Sequence, residues 1–543
     1  MLTKRFIFLL ITSIGSLFCQ ILLAQQRFEN PILKGFYPDP SICRVGQDFY
    51  LVNSSFEYFP GVPIFHSKDL VHWQQIGHVL NRPSQLNLDS VRASGGIFAP
   101  TIRYSNGTFY LITTLVGTKD GGNFFVTAKN PAGPWSAPQW LPKEAIGIDP
   151  SLFFDDDGKV YYTGNKKPVN QAQVTRYRQI WLQELDLANK KFVGERSIIL
   201  EEGALHGAEN AEASHLYKKD GFYYLMIAEG GTYENHAVTV FRSKNINGPY
   251  EGNKKNPILT HRNLGLNYPI TSTGHADLVE TQNGDWWMVL LAVRKYGGLN
   301  YNLGRETFLT KVEWQDGWPV VNPGIAQVLA TDLAPNLPGF TFKPENLTDD
   351  FTADTLYHYW NFLRTPRSDF WSLKKRKGFL RLNLLKEEIT NLVSPAFIGR
   401  RQQDTSFRAE TFFEFIPKSE NEVAGLVLMM NNDYQYRAEK IFKNGNYYVR
   451  LIKRAGGFEE QIGQVVVNKG ALLMGVKANG EDLDFYVKQD GKTLTLAQNA
   501  DGKILSVVNA GGFTGVYMGL YASSKGIKSN NFADFDWFEY TNL

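Results

Sequence analysis

The stretch Asp39–Ser55, DPSICRVGQDFYLVNSS, contains a short strand, a polar turn and a second strand that carries aromatic residues. The same register recurs four times, and each copy begins with a lead residue that a small residue or proline follows. The lead residues, spaced 60, 50, 63 and 63 positions apart, are Asp39, Ala99, Asp149, Glu212 and His275. This spacing suits one four-stranded blade per copy, whereas unrelated hairpins would not keep one register. The chain is therefore predicted to be all-β, with a five-bladed β-propeller over residues 27–330.

Equivalent positions of the blades meet around a propeller axis, so the lead residues are predicted to lie close together. Three of the five are carboxylic acids, although aspartate is depleted in strands and a buried carboxylate is costly without a partner. Two carboxyl groups flanking a glycosidic bond can hydrolyse it, and a third can tune the acid. The set would also suit a hard cation, but no HxH or HExxH spacing supports a catalytic zinc. We interpret Asp155–Asp157 as a hairpin turn rather than a calcium loop.

Composition and the first residues of the chain limit the possible binding partners and indicate the cellular location. The 543 residues carry a formal net charge of +3 without a basic stripe, which argues against nucleic acid as a partner. Residues 1–24 contain two basic residues, an apolar run and a final Ala24, the pattern of a secretory signal peptide. We therefore expect a secreted or periplasmic protein with no membrane segment in its mature form. A surface lipoprotein anchored at Cys19 is disfavoured because bulky Phe18 precedes the cysteine.

The residue pattern of the sequence changes after the repeats. Residues 331–347 include DLAPNLPGFTFKPEN, which is rich in proline and is interpreted as a linker. Residues 348–543 contain short alternating strands separated by turns such as KNGN, ANGED and QDGK. This pattern predicts a β-sandwich of the concanavalin-like or jelly-roll type. An accessory sugar-binding module is one role for it.

Seven stretches in order over residues 29–325 resemble glycoside hydrolase family 43, which contains β-xylosidases, α-L-arabinofuranosidases and related enzymes. They are NPILKGFYPDPSI, SFEYFPGVPIFHSKDLVHW, GGIFAPTIRY, IDPSLFFDDDGK, HLYKKDGFYYLMIAEGGT, TGHADLVETQNGDWW and LGRETFLTKVEWQDGWPVV. The resemblance implies a five-bladed propeller and inversion of the anomeric centre by direct attack of water, without a covalent sugar intermediate. It implies no required cofactor and is compatible with a structural calcium ion in the propeller channel.

The resemblance also implies roles for the three acids. Asp39 in YPDPS would be the general base, Asp149 in IDPSL would raise the pKa of the acid and orient it, and Glu212 would be the general acid. The usual family sequence around the acid is Glu-Gly-Pro-His, whereas this chain has Glu-Ala-Ser-His. The difference leaves the subfamily and the substrate open. Glu209 is a rival, but only Glu212 keeps the three-residue distance to His215 and the register of the repeat.

Other positions would contact the sugar. By the same resemblance, His275 in TGHAD would contact the substrate or, through water, a central calcium ion. Arg305 in LGRET would contact sugar hydroxyls, with a surface salt bridge as the alternative. The aromatic walls would be Phe56 and Phe98. Phe513 would enter the pocket from the sandwich loop NAGGFTGVYMG, so the resemblance implies that the sandwich closes the active site at one end. Three further residues are open to a role at the mouth or a structural role, namely Asn53, Tyr58 and Arg294.

The expected function is a secreted, inverting exo-glycosidase that releases β-D-xylose, α-L-arabinofuranose or both from plant hemicellulose oligosaccharides. An arabinan- or galactan-directed glycosidase of the same family is one alternative. A non-catalytic carbohydrate-binding propeller is the alternative from another class, and it would require the acids to be lost or separated. The sequence leaves the sugar, the linkage and the oligomeric state open.

Overall fold

The computed structural model describes residues 26–168, 178–205, 208–265, 267–343 and 346–543. The predicted signal peptide, residues 1–24, and the alternative lipoprotein cysteine, Cys19, lie outside these ranges. Within them, no helix combines the length and the apolar character needed to cross a bilayer.

The first part of the chain is built from short antiparallel strands. The strands are β1 (Arg27–Glu29), β2 (Ser41–Val45), β3 (Asp48–Val52), β4 (Tyr58–Phe59), β5 (Gly61–Ser67), β6 (Gln74–Leu80), β7 (Gly96–Ile97), β8 (Thr101–Ser105), β9 (Thr108–Val116), β10 (Gly122–Ala128), β11 (Gln139–Trp140), β12 (Ser151–Phe154), β13 (Val160–Lys166), β14 (Gln179–Asp186), β15 (Lys191–Leu200), β16 (Glu212–Lys219), β17 (Phe222–Glu229), β18 (Ala237–Ser243), β19 (Glu251–Gly252), β20 (Ile270–Glu280), β21 (Trp286–Arg294), β22 (Glu306–Gln315), β23 (Trp318–Val321) and β24 (Thr331–Leu333).

Apart from β1, β4 and β24, these strands form five sheets, one for each copy of the repeat. The orders are β2-β3-β5-β6, then β7 and β8 beside β9-β10-β11, then β12 to β15, β16 to β19 and β20 to β23. Turn chemistry explains the first hairpin of several blades. Asn106-Gly107 and Asp220-Gly221 both have positive φ, the geometry of a two-residue hairpin turn that matches strand twist. The predicted five-bladed propeller is confirmed, and β1 pairs with β24 to bring the two ends of this part together.

The second part consists of two eight-stranded antiparallel sheets. Its strands are β25 (Thr348–Asp349), β26 (Asn361–Leu363), β27 (Trp371–Ser372), β28 (Leu380–Asn383), β29 (Ala396–Arg401), β30 (Ser406–Glu414), β31 (Val423–Asn431), β32 (Tyr434–Lys443), β33 (Asn446–Ala455), β34 (Phe458–Val467), β35 (Leu472–Asn479), β36 (Asp482–Gln489), β37 (Lys492–Asp501), β38 (Tyr517–Ser523) and β39 (Phe532–Asn542). A 3₁₀ turn at Gly502–Leu505 and a short helix, α1 (Val507–Ala510), precede β38.

The two sheets pack face to face and confirm the predicted β-sandwich. One sheet runs β27-β28-β39-β30-β35-β36-β37, with β25 beside β39, and the other runs β34-β33-β32-β31-β38-β29-β26-β4. Alternating side chains of β35, among them Leu472 and Met474, belong to one core with Leu426 and Leu428 of β31. Burial of this period-two apolar face, at roughly 25 cal/mol per Å² of apolar surface, stabilises the sandwich.

The sandwich and the propeller share structure. Strand β4 leaves the propeller and pairs with β26 at the edge of a sandwich sheet, with Phe59 opposite Phe362. The rings of Tyr58 and Tyr517 stack across the boundary, with centroids 3.7 Å apart. One hydrophobic core includes Ile64 of the propeller together with sandwich residues. Deleting the sandwich would therefore expose apolar surface, so point substitutions are the cleaner probe of its role.

A loop of the sandwich crosses a propeller segment so closely that a side chain at Gly515 would not fit. An ideal Cβ on Gly515 would lie 2.5 Å from the Leu303 carbonyl oxygen and 2.9 Å from Phe36 Cβ. Just before this crossing, the Phe513 N–H donates to Ser94 Oγ of the propeller at 2.8 Å. The close approach at Gly515 therefore determines how deeply the Phe513 loop sits on the propeller.

Gly515→Ala is expected to destabilise the protein by about 1–3 kcal/mol, because the added methyl group overpacks the crossing. It is also expected to lower kcat on small glycosides, because the loop that carries Phe513 must move outward. Thermal unfolding and steady-state kinetics measure the two effects. The control is Gly470→Ala, where an ideal Cβ has no atom within 4 Å. Equal behaviour of the two variants would contradict the tight crossing.

Candidate active site

Three of the five lead residues adopt an unusual backbone conformation. Asp39, Asp149 and His275 have φ of 52°, 53° and 43°, and Ala213, next to Glu212, has φ of 54°. Non-glycine residues are uncommon in this left-handed region, which costs about 1–3 kcal/mol and is concentrated at functional sites. The pairing of β16 with β17 also shifts register between Glu212 and His215. Such irregularities re-aim side chains, so the acids point away from the normal pleat.

Asp39 is a buried carboxylate with a hydrogen-bond donor on each oxygen. Arg305 Nη1 donates to Oδ1 at 2.8 Å, and Ser54 Oγ donates to Oδ2 at 2.6 Å. His275 Nδ1 lies 3.8 Å from Oδ1. Burial alone would raise the pKa of Asp39, but Arg305, His275 and Ser54 together hold it below its ordinary value. Asp39 is therefore ionised at neutral pH, as a general base must be.

The other two acids, Glu212 and Asp149, have raised pKa values. Burial raises the pKa of Glu212 to about 7, with a further contribution from Asp39 and against opposing effects of Arg178 and Arg305. Burial, together with repulsion from Glu212 and Asp39, raises the pKa of Asp149 well above its ordinary value. Since two adjacent carboxylates resist joint ionisation, this pair retains a proton at neutral pH. A proton donor thus lies beside an ionised acceptor.

One cavity of about 750 Å³ brings the predicted site residues together. All of them line it, namely Asp39, Phe56, Phe98, Asp149, Glu212, His275, Arg305 and Phe513. The three phenylalanines form one aromatic cluster, with ring centroids 5.1 to 6.4 Å apart. The sequence therefore identified a set that the fold assembles from all five blades and the sandwich.

Arg305 connects Asp39, the propeller wall and the sandwich loop. Besides Asp39, its guanidinium donates to Thr232 Oγ1 at 3.1 Å and to the Phe513 carbonyl oxygen at 3.4 Å. It also lies 5.6 Å from the ring centroids of Phe56 and Phe513. Only 8 % of Arg305 is exposed, so the surface salt bridge considered as an alternative is not what the structure contains.

Three residues that could have either lined the cavity mouth or had a structural role make structural contacts. Asn53 donates to the carbonyl oxygens of Tyr37 and Pro38, both at 3.0 Å, and so holds the segment before Asp39. Arg294 forms a bidentate pair with Glu306 at 2.6 and 2.8 Å. Tyr58 stacks in the domain boundary described above, and none of the three is among the residues that line the described cavity.

Several cavity residues were missed by the repeat pattern. The loop between β17 and β18 contributes Thr232, Tyr233 and His236, and Arg262 comes from a later connection. Gly230 and Gly231, with φ of 85° and 70°, turn this loop toward the cavity. The Gly-Gly pair was the one available signal, because loop residues carry no strand register.

The rival acid Glu209 lines the same cavity as Glu212. The carboxylates that raise the pKa of Asp149 are Glu212 and Asp39. Glu212 also begins β16, at the position equivalent to the other lead residues. These two observations favour Glu212 as the partner of Asp39 and Asp149.

The structure gives no support to the structural calcium ion that the resemblance left possible. Within the described ranges, no group of three or more His, Cys, Asp or Glu side chains is arranged to hold a metal. Both oxygens of Asp39 are already hydrogen-bonded, and near the axis Arg103 pairs with Asp277 at 2.8 Å. The surroundings of His275 therefore do not fit a metal site, and the mechanism below uses none.

A propeller whose axis carries three interacting carboxyl groups above a sugar-sized cavity defines a glycoside hydrolase. Residues 28–319 match the family described as Glycosyl hydrolases family 43, and residues 348–541 match the Beta xylosidase C-terminal Concanavalin A-like domain. The chain belongs to glycosyl hydrolase family 43, with a concanavalin-like sandwich, as the sequence motifs predicted. It is therefore an enzyme and not the non-catalytic propeller of the alternative interpretation.

Characterised relatives resemble the chain over nearly its whole length. It is 47% identical to a xylosidase/arabinosidase of Butyrivibrio fibrisolvens, over 94% of this chain and 98% of that protein. It is 42% identical to the non-reducing end alpha-L-arabinofuranosidase BoGH43B of Bacteroides ovatus, over 98% of each. A solved structure, xylan beta-1,4-xylosidase from Bacillus halodurans, superimposes with a TM-score of 0.89 at 37% identity, over 95% of this chain and 100% of that one.

Ser54→Ala is expected to move the acidic limb of the pH–kcat/KM profile to higher pH. The loss of a hydrogen bond to the ionised form raises the pKa of Asp39, so the base becomes protonated at a less acidic pH. The neighbouring Ser55→Ala is a matched control, because Ser55 Oγ accepts from the Val62 N–H. An acidic limb that stays in place in Ser54→Ala would argue against Asp39 as the titrating base.

Proposed function

We propose that the protein is an inverting exo-glycosidase that removes single pentose units, β-D-xylose or α-L-arabinofuranose, from hemicellulose oligosaccharides outside the cell. One observation carries the proposal. In a single cavity, contacts with Arg305, Ser54 and His275 hold Asp39 ionised, while burial raises the pKa of Glu212 to about 7. Inversion requires one ionised carboxylate as the base and one protonated carboxyl group as the acid.

In the proposed mechanism, Asp39 accepts a proton from a water molecule as that water attacks the anomeric carbon. Glu212 donates its proton to the leaving oxygen at the same time, so the sugar is released with inverted configuration. Asp149 and Glu212 resist joint ionisation, and in this mechanism the proton that the pair retains is the one that Glu212 donates. Arg305 holds Asp39 in place, and its position on the cavity wall lets it also contact sugar hydroxyls.

The sandwich loop supports exo action. Phe513 reaches the cavity from the sandwich, and its N–H and carbonyl groups are held by Ser94 and Arg305. A side chain fixed in this way restricts the length of sugar chain that can pass beyond the acids. The names of the relatives support a pentose as the released unit. An arabinan- or galactan-directed activity is the alternative that a panel of nitrophenyl glycosides separates from it.

Asp39→Asn tests the base. The amide has the same shape but cannot accept the proton of the water, so kcat on xylosides or arabinofuranosides is expected to fall by about 10²–10⁴-fold. For the unaltered enzyme, proton NMR of the first sugar released is expected to show the inverted anomer. Retention of configuration, or full activity of Asp39→Asn, would overturn the proposed mechanism.

Glu212→Gln tests the acid. Nitrophenyl glycosides have good leaving groups and are expected to lose less activity than natural oligosaccharides, which depend on protonation. In the unaltered enzyme, kcat/KM is expected to fall as pH rises through about 7, as Glu212 loses its proton, and this limb should be absent from Glu212→Gln. Glu209→Gln is the control. If that variant instead loses the limb and shows the leaving-group dependence, Glu209 is the acid.

A further inference from the structure

A second cavity, of about 1090 Å³, lies between the propeller and the sandwich. It shares no lining residue with the active site. Its walls come from the first propeller segment, 27–37, from the loop 71–75, and from sandwich residues 357–359 and 400–403. The cavity is thus large enough for several sugar units and separate from the three acids.

Two buried arginines form part of its lining. Arg400 and Arg401 are only 5 % and 3 % exposed, and within the described part of the chain neither forms an ion pair with a carboxylate. Arg401 donates to the Phe36 carbonyl oxygen at 2.6 Å and to Asn361 Oδ1 at 2.9 Å, while its Nη2 has no hydrogen-bond partner there. Their guanidiniums lie over tyrosine rings, Arg401 4.4 Å from Tyr37 and Arg400 4.7 Å from Tyr540, so the positive charge of this wall is packed against rings rather than paired with a carboxylate of the described ranges.

The outer lining strengthens the positive character. Arg27, Lys34 and Lys343 also line the cavity, against a single carboxylate, Glu29, among the described lining residues. Lys34 lies 3.7 Å from Asp404, so part of its charge is balanced. A cavity walled by one sign of charge concentrates ligands of the opposite sign.

Aromatic rings in the same cavity suit a sugar rather than a small free anion. Trp73 and Phe342 are half-buried in its wall, Tyr357 is 37 % exposed, and Tyr359 lies against the Arg400 guanidinium at 4.5 Å. Aromatic faces bind the apolar faces of sugar rings, and arginine matches the planar geometry of a carboxylate.

We propose that this inter-domain cavity binds an oligosaccharide that carries a carboxylate, that is, a uronic acid substituent on a hemicellulose chain. The proposal rests on the proposed function, because hemicellulose is then the polymer that the enzyme meets. The site would retain an acidic chain on the enzyme without placing the acidic sugar in the active site.

The test is isothermal titration of Asp39→Asn protein, which does not turn the ligand over. The ligands are glucuronic-acid-substituted xylotriose, neutral xylotetraose and inorganic phosphate. The acidic oligosaccharide is expected to bind more tightly than the neutral one, and Arg400→Gln is expected to weaken its binding by about tenfold or more. Tyr357→Ser, a substitution at the surface, should weaken it as well, whereas Arg367→Gln, at an exposed cation outside both cavities, should not.

Each outcome decides the question. Equal binding of acidic and neutral ligands, or binding unaffected by both Arg400→Gln and Tyr357→Ser, would overturn the proposal. Phosphate that binds as tightly as the acidic oligosaccharide would show a site for a free anion and overturn it too. With Asp39 restored, Arg400→Gln and Tyr357→Ser should keep their activity on nitrophenyl pentosides. An unaltered enzyme that cleaves no pentoside would instead count against the proposed function, independently of the binding result.

Discussion

The buried ion pair between Asp39 and Arg305 is the contact on which the active site depends. Both charges are largely removed from water, a cost that is offset only when geometry and additional hydrogen bonds are good. Here the pair is 2.8 Å long, Ser54 occupies the second carboxylate oxygen, and Arg305 also donates to Thr232 and Phe513. One guanidinium therefore keeps Asp39, the proposed base, ionised and connects the first blade, the fourth blade loop and the sandwich.

The position of the base is also a consequence of ring closure. The segment before Asp39 is held by the last blade, where the Tyr37 N–H donates to the Arg305 carbonyl at 3.1 Å and Thr307 donates to the Tyr37 carbonyl at 2.6 Å. Gly35 N–H donates to Glu306 at 2.6 Å in the same way. Catalytic geometry and closure of the propeller are thus coupled, because the residues that close the ring also hold the base.

The acids differ because their surroundings differ, although they have similar places in the repeat. Asp39 faces an arginine and a hydroxyl donor, whereas burial, with a contribution from nearby carboxylates, raises the pKa values of Asp149 and Glu212. Equivalent blade positions therefore supply groups of opposite protonation. The sandwich adds Phe513 to the same cavity, and the shared core and the Gly515 crossing leave it little freedom to move away.

The sequence by itself determined the blade count, the lead residues and their convergence, because strand period and turn residues act locally and a closed ring brings equal registers together. The recurring register at Asp39, Asp149 and Glu212 was sufficient for this. Only the tertiary structure decided which residues hold the acids. Thr232 and His236 lie in a loop without register, and Asn53, Tyr58 and Arg294 have side chains equally suited to the cavity mouth or to a structural role. Their roles depend on which neighbours the fold brings to each side chain, and protonation depends on burial and nearby charge, which exist only once the chain has folded.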